Sequence, residues 1–543
     1  MMSEGPLSIV WGETHHNTFM GGRQDPPLEE VVAFARTHLD FYTAAYYTPL
    51  MRRIPARPDW KPPLPPTSPP PEGYGFLDEG WKPSAMIERE WRLVERVTAE
   101  AYEPDRFVTL PGYEWQGDGT WGDHNVIHRR EGWRVETTDT LPDLQARLRL
   151  IDAIAIPHHT GYVPGLRAPR WAMEDERLSP FSEIFSIHGC SETDEEWGGG
   201  LRRNLHMGPG EAGGTWQAAL DAGLHIGAIA STDNWSNVPG CWGQGLAAAL
   251  VSRLTRNDLW EAFCHRRVYG VTGDRIAMDF QCNQAPMGTI LPYAPERRIA
   301  VQVRGWDALD RIEILKNGRV VAVHHHPVTW SLPRTGSRTR WRFRLEAGWG
   351  PREREFPLGN RRWRFSVACR GGTFTGWSPC WTARGSTPPV LAGDRTSFEL
   401  LSVPAAVGNA FQTGICLELD AEADCPLTIR AGEMEWTTTL GEWARGSRVL
   451  WDRAEVVRLI REATGTDPAT LQRGDPVLFH LAYKVKAHRP VPQSGYSAFL
   501  HYTDREPVDR EIHYRVRVEQ RNGQRAWSSP IWVQPPGRMA SRS

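Results

Sequence analysis

The chain has 543 residues, too many for one ordinary hydrophobic core, so its length predicts two to four domains. Its 63 basic and 65 acidic residues nearly cancel, so the net charge gives no sign of a nucleic acid or an anionic membrane as partner. The eight cysteines are scattered and form no C-x-x-C pair, which argues against a zinc ribbon or a disulfide framework, with Cys369 and Cys380 as the pair to check first.

No window of the sequence approaches the roughly 18 to 20 consecutive apolar residues of a membrane span. The first residues, MMSEGPLSIVWGE, lack the basic and apolar regions of a signal peptide. We therefore expect a soluble, cytoplasmic protein with no nucleic acid and no membrane as partner, and the charge leaves a small-molecule substrate open. The sequence does not predict an oligomeric state.

The first half of the chain alternates strand-like and helix-like segments. An apolar run from Ile9 to Trp11 predicts a strand, residues 28–39 carry apolar side chains at helical spacing, and residues 83–102 predict a long amphipathic helix that begins with proline. The order then repeats, with TWQAALDAG before LHIGAIASTDN as one example. Such units over about 270 residues predict an α/β barrel or a doubly wound sheet.

Two changes of composition divide the chain. Residues 53–73 are rich in proline, which predicts a surface insertion that is partly polyproline II. After about residue 280, short alternating runs are separated by Asn-Gly, Gly-Gly and Pro turns, a pattern typical of β-sandwiches. We therefore predict an α/β domain over residues 1–280, a sandwich-like module over residues 281–390 and a second β-rich module over residues 391–543.

Polar residues recur where the predicted strands of the first half end. They are His15, Glu114, His158, His159, Glu183, His188 and Asp233. The carboxyl ends of barrel strands meet at one mouth, where ligands and catalysts collect. Imidazoles with carboxylates suit a divalent ion such as zinc, manganese or iron, and the lack of thiolates is typical of a catalytic site. A hairpin-like loop after Glu114 would return His124 to the same mouth.

Other polar residues have simpler interpretations. Isolated histidines and acidic runs are more often structural or solvated than functional, and we apply this to His16, His206, His225, His265, the triplet 324–326, and the acidic loop Glu192, Asp194, Glu195 and Glu196. No motif of a serine hydrolase, a P-loop NTPase or a zincin is present. A glycosidase that uses Glu114 and Glu183 is an alternative, but it leaves the histidines unexplained.

The order of several motifs resembles a known family. GETHHNT, LPGYEWQGDGTWGDHNVIH, IPHHTGY, SEIFSIHGCSE, STDN and RRVYGVTGDRI together resemble the DUF3604 proteins of the PHP (polymerase and histidinol phosphatase) superfamily. The resemblance covers about residues 7–280, extends weakly to WSSPIWV near the end of the chain, and implies a distorted (β/α)7 barrel that holds up to three metal ions. Many members of the superfamily are phosphoesterases.

Carried over by position, the resemblance implies a set of metal ligands. The set consists of His15 and Asn17 in place of the family's H-x-H, the bridging Glu114, His124, His158 (or His159, one place off) and Asp233. One site would use His15, Asn17, Glu114 and Asp233, and the other would use Glu114, His124 and His158. The third site is lost, because Tyr46 and Tyr47 replace an Asp-His pair and Trp235 replaces the last histidine. We therefore expect one or two divalent ions.

These ligands imply a metal-dependent hydrolase. A water shared between two metal ions would act as the nucleophile on a small-molecule ester, phosphoester or amide. His159, His188, His128 or Tyr47 would protonate the leaving group, and Arg275 would hold an anionic substrate. The alternative is a binding or scaffold protein that keeps the PHP fold but has lost turnover.

Overall fold

The computed structural model describes residues 7–19, 26–47, 84–194, 210–234, 238–326, 330, 332–334, 336–348, 360–380, 383–402, 412–470 and 475–537. The predicted proline-rich insertion, residues 53–73, lies outside the described residues, as do His206, Trp235, Glu195 and Glu196.

The first half contains, in chain order, β1 (Ser8–Thr18), α1 (Leu28–Ala35), β2 (Phe41–Tyr47), α2 (Ser84–Ala101), β3 (Val108–Trp115), β4 (His124–His128), α3 (Leu141–Leu148), β5 (Ala153–Pro157), β6 (Val163–Pro164), β7 (Arg167–Ala168), β8 (Phe181–Ser186), β9 (Gly189–Cys190), α4 (Trp216–Asp221), β10 (Gly227–Ala230), β11 (Leu246–Val251), α5 (Arg256–Cys264) and β12 (Val268–Val271). The second half contains β13 (Ala277–Cys282), β14 (Ala285–Pro286), β15 (Ile290–Leu291), β16 (Arg297–Arg304), β17 (Leu309–Lys316), β18 (Arg319–His325), β19 (Thr339–Gly348), β20 (Arg361–Cys369), β21 (Thr373–Cys380), β22 (Thr387–Ala392), β23 (Arg395–Ser402), β24 (Thr413–Ala421), β25 (Pro426–Ala431), β26 (Met434–Thr439), α6 (Leu440–Trp443), β27 (Arg448–Trp451), α7 (Arg453–Thr464), α8 (Asp475–Leu481), β28 (Lys484–Ala487), β29 (Val491–Pro492), α9 (Gln493–Tyr496), β30 (Ser497–Asp504), β31 (Ile512–Gln520), β32 (Arg525–Ser528) and β33 (Ile531–Val533).

Helices of the first half form where apolar residues recur at helical spacing. In α2, Trp91, Val94 and Val97 are three residues apart and pack into the core shared with β2 and β3. Helix α3 begins after Thr140, whose side chain accepts a hydrogen bond from the backbone N–H of Asp143. Within the described residues, no helix combines the length and the apolar character needed to cross a membrane.

The largest sheet has mixed strand directions. Strands β1, β2 and β3 are parallel, and β4 and β5 follow on one side in antiparallel pairing. On the other side β11 pairs antiparallel with β1, and β12 pairs antiparallel with β11. Strands β8 and β10 are parallel and form a separate small sheet with β9. The parallel strands β1, β2 and β3 therefore have their carboxyl ends at a common edge of the sheet.

The structure is a mixed α/β fold rich in strands, and it does not show the predicted (β/α)7 barrel. Within the described residues the sheets are not closed into a ring. The physical reason is the direction of two strands. Strand β4 returns antiparallel from β3 without a helix between them, and β11 is antiparallel to β1, so the regular β/α alternation is interrupted twice.

The small sheet packs against the large one at Gly270, where there is no room for a side chain. A Cβ atom on Gly270 would lie 2.6 Å from the Ala230 nitrogen and 2.7 Å from the Ile229 carbonyl carbon. We expect Gly270→Ala to lower the free energy of unfolding by about 1–3 kcal/mol through overpacking. Urea unfolding measures the effect, with Gly446→Ala as a control because a Cβ there meets no atom within 4 Å. Equal stability of both variants would contradict this packing.

A β-sandwich lies in the second half, over residues 339–492. Its six-stranded sheet contains β19, β21, β24, β27, β28 and β29, and its five-stranded sheet contains β20, β22, β23, β25 and β26. Trp341 and Phe343 from the first sheet share one core with Trp363 and Phe365 from the second. The predicted division at residue 390 stays a prediction, and strands on either side of it pair with each other, β20 with β23 and β21 with β24.

The last strands of the chain return to the first half. Strand β32 pairs antiparallel with β12 and so extends the large sheet. Beside it, the buried carboxylate of Glu192 accepts hydrogen bonds from Arg515, from Arg517 at 3.2 Å and from the Trp527 indole at 2.7 Å. The prediction that Glu192 belongs to a solvated acidic loop is therefore wrong, because two guanidiniums from β31 neutralise its charge. Asp194 is exposed, as predicted.

Candidate metal centre

Five buried polar side chains converge where the strands of the first half end. His15 lies near the end of β1, Glu114 near the end of β3, His158 directly after β5, Glu183 within β8 and Asp233 three residues after β10. Because these strands carry their carboxyl ends to one region, residues that are more than 200 positions apart in the chain become neighbours.

The imidazole of His15 stands at the centre of this group. Its Nδ1 atom is 3.1 Å from Glu183 Oε2, while its Nε2 atom is 3.3 Å from Asp233 Oδ1 and 3.5 Å from Glu114 Oε2. His158 Nε2 lies 3.8 Å from the other oxygen of Glu114. One buried imidazole is thus surrounded by three carboxylates, with a second imidazole beside them.

Two sets of side chains have the composition and the spacing of a metal site. The first consists of His15, His158 and Asp233, and the second consists of Asp123, His158 and His159. Within each set the potential ligand atoms all lie within 4.8 Å of one another, and all these residues are buried. Imidazole nitrogen with carboxylate oxygen is a donor set that suits zinc, manganese or iron. His158 belongs to both sets and links them.

Several buried atoms of these sets, and one of Glu183 beside them, have no hydrogen-bond partner in the described part of the chain. They are both ring nitrogens of His158, Nδ1 of His159, Oδ1 of Asp123 and Oε1 of Glu183. Buried polar atoms in proteins are almost always hydrogen-bonded, and an unpaired one is costly. A divalent cation would satisfy these lone pairs, so the residues present fit the group that the sequence predicts.

The charges of the centre favour a cation in the same place. Burial raises the pKa of Asp123 to about 6 and that of Glu183 to about 7, and it raises the pKa of Asp233 well above its usual range. Burial also lowers the pKa of His158 well below its ordinary value, and the neighbouring His15 adds to this effect. Neutral imidazoles and crowded carboxylates are the states that a bound cation stabilises.

His15 behaves differently from the other histidines. Burial alone would lower its pKa, but Asp233 and Glu183 outweigh burial and raise it well above the ordinary value. In the absence of a metal ion, a proton on His15 is therefore the positive charge that holds the three carboxylates together. A metal ion would replace that proton.

The structure places His124 outside the two sets and its neighbour Asp123 inside one of them. His124 Nε2 lies 3.0 Å from Glu174 Oε1, and its Nδ1 lies 3.0 Å from the Gly122 carbonyl oxygen. Adjacent residues at a strand end point to opposite faces, so only one of the two reaches the centre. Sequence reasoning missed Asp123, although its place beside the chosen histidine in GDHNVIH was a usable signal.

Replacing Asp123 and His124 in separate variants shows which of the two residues is the metal ligand. We expect Asp123→Asn to weaken divalent metal binding by more than about tenfold, because it removes an anionic ligand from a set of three. The control is His124→Gln, which keeps a donor for Glu174 and should leave the affinity within about twofold of the wild type. Competition with a metallochromic chelator measures both. A larger loss of metal affinity in His124→Gln than in Asp123→Asn would indicate that His124 is the ligand.

The segment GETHHNT behaves as its alternation predicts. His15 points into the centre, while His16 points to the other face, with its Nδ1 atom 2.9 Å from the Tyr42 hydroxyl. Asn17 Nδ2 donates to Asp233 Oδ1 at 3.1 Å, and the Asn17 amide oxygen is buried without a hydrogen-bond partner in the described structure. Asn17 therefore lies beside the first set, and its role as a ligand stays a prediction.

Three of the predicted catalytic residues border the centre. His188 Nε2 lies 3.2 Å from Asp233 Oδ2, and His159 Nε2 lies 3.2 Å from Asp123 Oδ2. The Tyr47 hydroxyl accepts a hydrogen bond from Gln116 Nε2 at 3.4 Å, and the same amide donates to Glu114 at 2.6 Å.

Two predicted residues lie elsewhere. The Arg275 guanidinium donates to the backbone carbonyl of His38, and the His128 ring packs against Trp91 and Tyr113. The guanidinium that borders the centre belongs instead to Arg167, which donates to Asp123. Arg167 lies in a two-residue strand without periodicity, so the sequence carried no signal for it.

Backbone geometry also marks two of these positions. His159 has φ of 34° and Asp233 has φ of 47°, both in the left-handed region that few non-glycine residues adopt. The Asp233 segment is held by the buried carboxylate of Glu13, which accepts hydrogen bonds from the Thr232 N–H at 3.0 Å and the Gly240 N–H at 2.9 Å. Glu13 thus fixes the loop that presents Asp233.

No protein-family model matches the chain. An uncharacterised protein of Chlamydia pneumoniae is 28% identical over 42% of this chain and 40% of its own length, and one of Chlamydia muridarum is 30% identical over 42% and 40%. The chain therefore matches about two fifths of the length of these relatives, and membership in the DUF3604 family is not shown.

One similar solved structure is a two-domain protein containing a predicted PHP-like metal-dependent phosphoesterase from Bacteroides vulgatus. The TM-score is 0.30 and the sequence identity is 11%, over 60% of this chain and 82% of that chain. This is a distant structural similarity.

Proposed function

We propose that the chain is a metal-dependent hydrolase of the PHP type that cleaves a small-molecule ester, phosphoester or amide. The observation that carries the proposal is the pair of buried His/Asp sets that share His158. The motif order that resembles DUF3604 proteins supports it, because His15, His158 and Asp233 are among the ligands that the resemblance implies.

One or two divalent ions would be held by His15, His158 and Asp233 and by Asp123, His158 and His159. Zinc, manganese and iron all fit this donor set. When bound, such ions lower the pKa of water and polarise a scissile bond. Glu114 lies beside both imidazoles, His15 and His158, which supports the bridging role that the resemblance implies.

The chain's own groups would orient the substrate and move protons. Burial raises the pKa of the Tyr47 hydroxyl, so this group stays protonated at neutral pH and can donate a hydrogen bond to a leaving group. His188, held between Asp233 and the Tyr162 hydroxyl, is a second proton donor. We assign the anion-holding role to Arg167, because it contacts Asp123 whereas Arg275 contacts the His38 carbonyl.

The glycosidase alternative has less support. Its two carboxylates, Glu114 and Glu183, both face the His15 imidazole, which stands between them where a sugar ring and a water would have to lie. The scaffold alternative differs from the hydrolase in one measurable property, since it predicts a centre that does not retain metal.

The test combines metal analysis with a substrate screen of the purified full-length chain. We expect one or two equivalents of divalent metal, and manganese-dependent turnover of at least one member of a panel of phosphomonoesters, phosphodiesters, aryl esters and amides that chelator abolishes. Fewer than about half an equivalent of metal, unchanged after soaking in manganese or zinc, would contradict the hydrolase. Cleavage of an aryl glycoside that persists in chelator would support the glycosidase.

Asn17 offers a gain-of-function test of the same centre. An amide oxygen is a weak neutral ligand, whereas histidine at this position would add an imidazole beside Asp233. We expect Asn17→His to tighten divalent metal binding by about tenfold. Isothermal titration with manganese measures the change, and His16→Asn on the opposite face is the matched control. Unchanged affinity in Asn17→His would show that Asn17 is not near a bound ion.

A further inference from the structure

A second polar pocket lies at the edge of the β-sandwich, away from the candidate metal centre. Residues of β19 and of the segment before β29 line it together with residues from the body of the protein. The pocket is open to solvent, and its lining includes Trp306, Asp307, Arg342, Arg344, Arg489 and Asn522. The proposed hydrolase function makes no use of this pocket.

The arginines of this pocket differ in how their charges are neutralised. Arg342 pairs with Glu418 at 2.7 Å. Arg344 and Arg489 have no carboxylate within 4.0 Å among the residues that the structure describes. Arg344 instead donates to neutral or weak acceptors, His488 Nδ1 at 3.5 Å and Cys380 Sγ at 3.9 Å, and its Nε is buried without a hydrogen-bond partner.

Burial opposes the charge of Arg344, but Cys380, Cys416, Asp274 and Asp307 together raise its pKa, so nearby carboxylates supply part of the negative charge without direct contact. His488 Nε2 lies 2.7 Å from Glu346, which occupies that carboxylate, and burial lowers the pKa of His488. Burial raises the pKa of Asp307, the carboxylate among the lining residues. Asp274, close by, already accepts hydrogen bonds from Trp242, Gln520 and Asn522. With Arg342 paired to Glu418, the lining still holds two guanidiniums, Arg344 and Arg489, against one carboxylate, Asp307, and so keeps one net positive charge.

We propose that this pocket binds a phosphate group, either free or as part of a small phosphorylated molecule. A guanidinium without an anionic partner is costly where it is withdrawn from water, and a bound oxyanion removes that cost. The planar donor fork of arginine matches the oxygens of phosphate, and two such forks match its double charge. The ligand contacts would come from Arg344 on β19 and Arg489 near β29.

Titration of the full-length protein with inorganic phosphate tests the proposal. The titration contains a chelator, so that neither a metal ion nor the hydrolase function contributes to the result. We expect about one equivalent of phosphate to bind, and Arg344→Gln and Arg489→Gln each to weaken binding by at least about tenfold through loss of a charge-assisted hydrogen bond. Arg340→Gln, an exposed neighbour on β19, should bind as the wild type does.

Three results would overturn the proposal. They are no binding by the wild type up to about 10 mM phosphate, wild-type affinity in both Arg344→Gln and Arg489→Gln, and acetate binding as tightly as phosphate. Arg344→Lys, which keeps the charge but loses the fork, should bind with intermediate affinity. If Arg344→Gln fails to fold, as judged by circular dichroism, Arg489→Gln and Arg344→Lys decide the outcome.

Discussion

Replacing His158 by alanine should abolish metal binding and hydrolysis together. His158 is the one residue common to both ligand sets, so its loss removes an imidazole from each. Replacing a residue that only hydrogen-bonds to a metal ligand lowers metal affinity by about 10–100-fold. We therefore expect the removal of this shared ligand to lower metal affinity by more than about 100-fold. The fold should persist, because both ring nitrogens of His158 lack hydrogen-bond partners within the described structure.

Metal content and turnover are measured on the same preparations of the variant. The matched control is His265→Ala, since His265 is exposed and its ring Nδ1 contacts only the carbonyl of Glu261 in its own helix among the bonds described. That variant should retain wild-type metal and activity. A His158→Ala protein with unchanged metal content and turnover would mean that the centre is wrongly placed.

The largest effect on stability is expected from Glu192→Gln. The substitution removes the negative charge that faces Arg515 and Arg517. Arg515 would then stay buried without a carboxylate among the described ion pairs, while Arg517 would keep only Glu313. Breaking a buried ion pair from one side costs about 3–5 kcal/mol. Urea unfolding measures the loss, with the exposed Asp194→Asn as control. A change below about 1 kcal/mol, the size of a surface pair, would contradict this role.

The same carboxylate predicts how stability depends on pH. Burial opposes ionisation of Glu192, but Arg515 and Arg517 outweigh it and lower the pKa from 4.5 to about 2. A lowered pKa stabilises the folded state fully above pH 4.5, and this contribution is lost as the pH falls toward 2. We expect the wild type to lose stability in that window more steeply than Glu192→Gln does. Parallel slopes would contradict the assignment.

Much of the candidate centre was predictable because strand ends are visible in a sequence. An apolar run followed by a polar residue marked His15, Glu114, His158 and Asp233, and the structure brings all four together. Asp123 was not predictable in the same way. Choosing between two adjacent residues requires the exact face of β4, which depends on its pairing with β3 and β5.

Pairing between strands far apart in the chain limited how much of the fold could be predicted from the sequence. The α/β character followed from local periodicity, but the antiparallel pairing of β11 with β1 joins segments that are more than 200 residues apart, and no local pattern specifies it. Glu192 shows the same limit for charges. Its partner Arg515 is 323 positions further along the chain, so the surrounding acidic residues suggested a solvated loop.

Crystals grown with Mn²⁺ and measured for anomalous scattering test the metal centre most directly. We predict an anomalous peak for an ion held by His15, His158 and Asp233, and a second peak for an ion held by Asp123, His158 and His159 when two ions bind. Anomalous density at other residues, or none at these while the solution contains a large excess of Mn²⁺, would contradict the proposed centre.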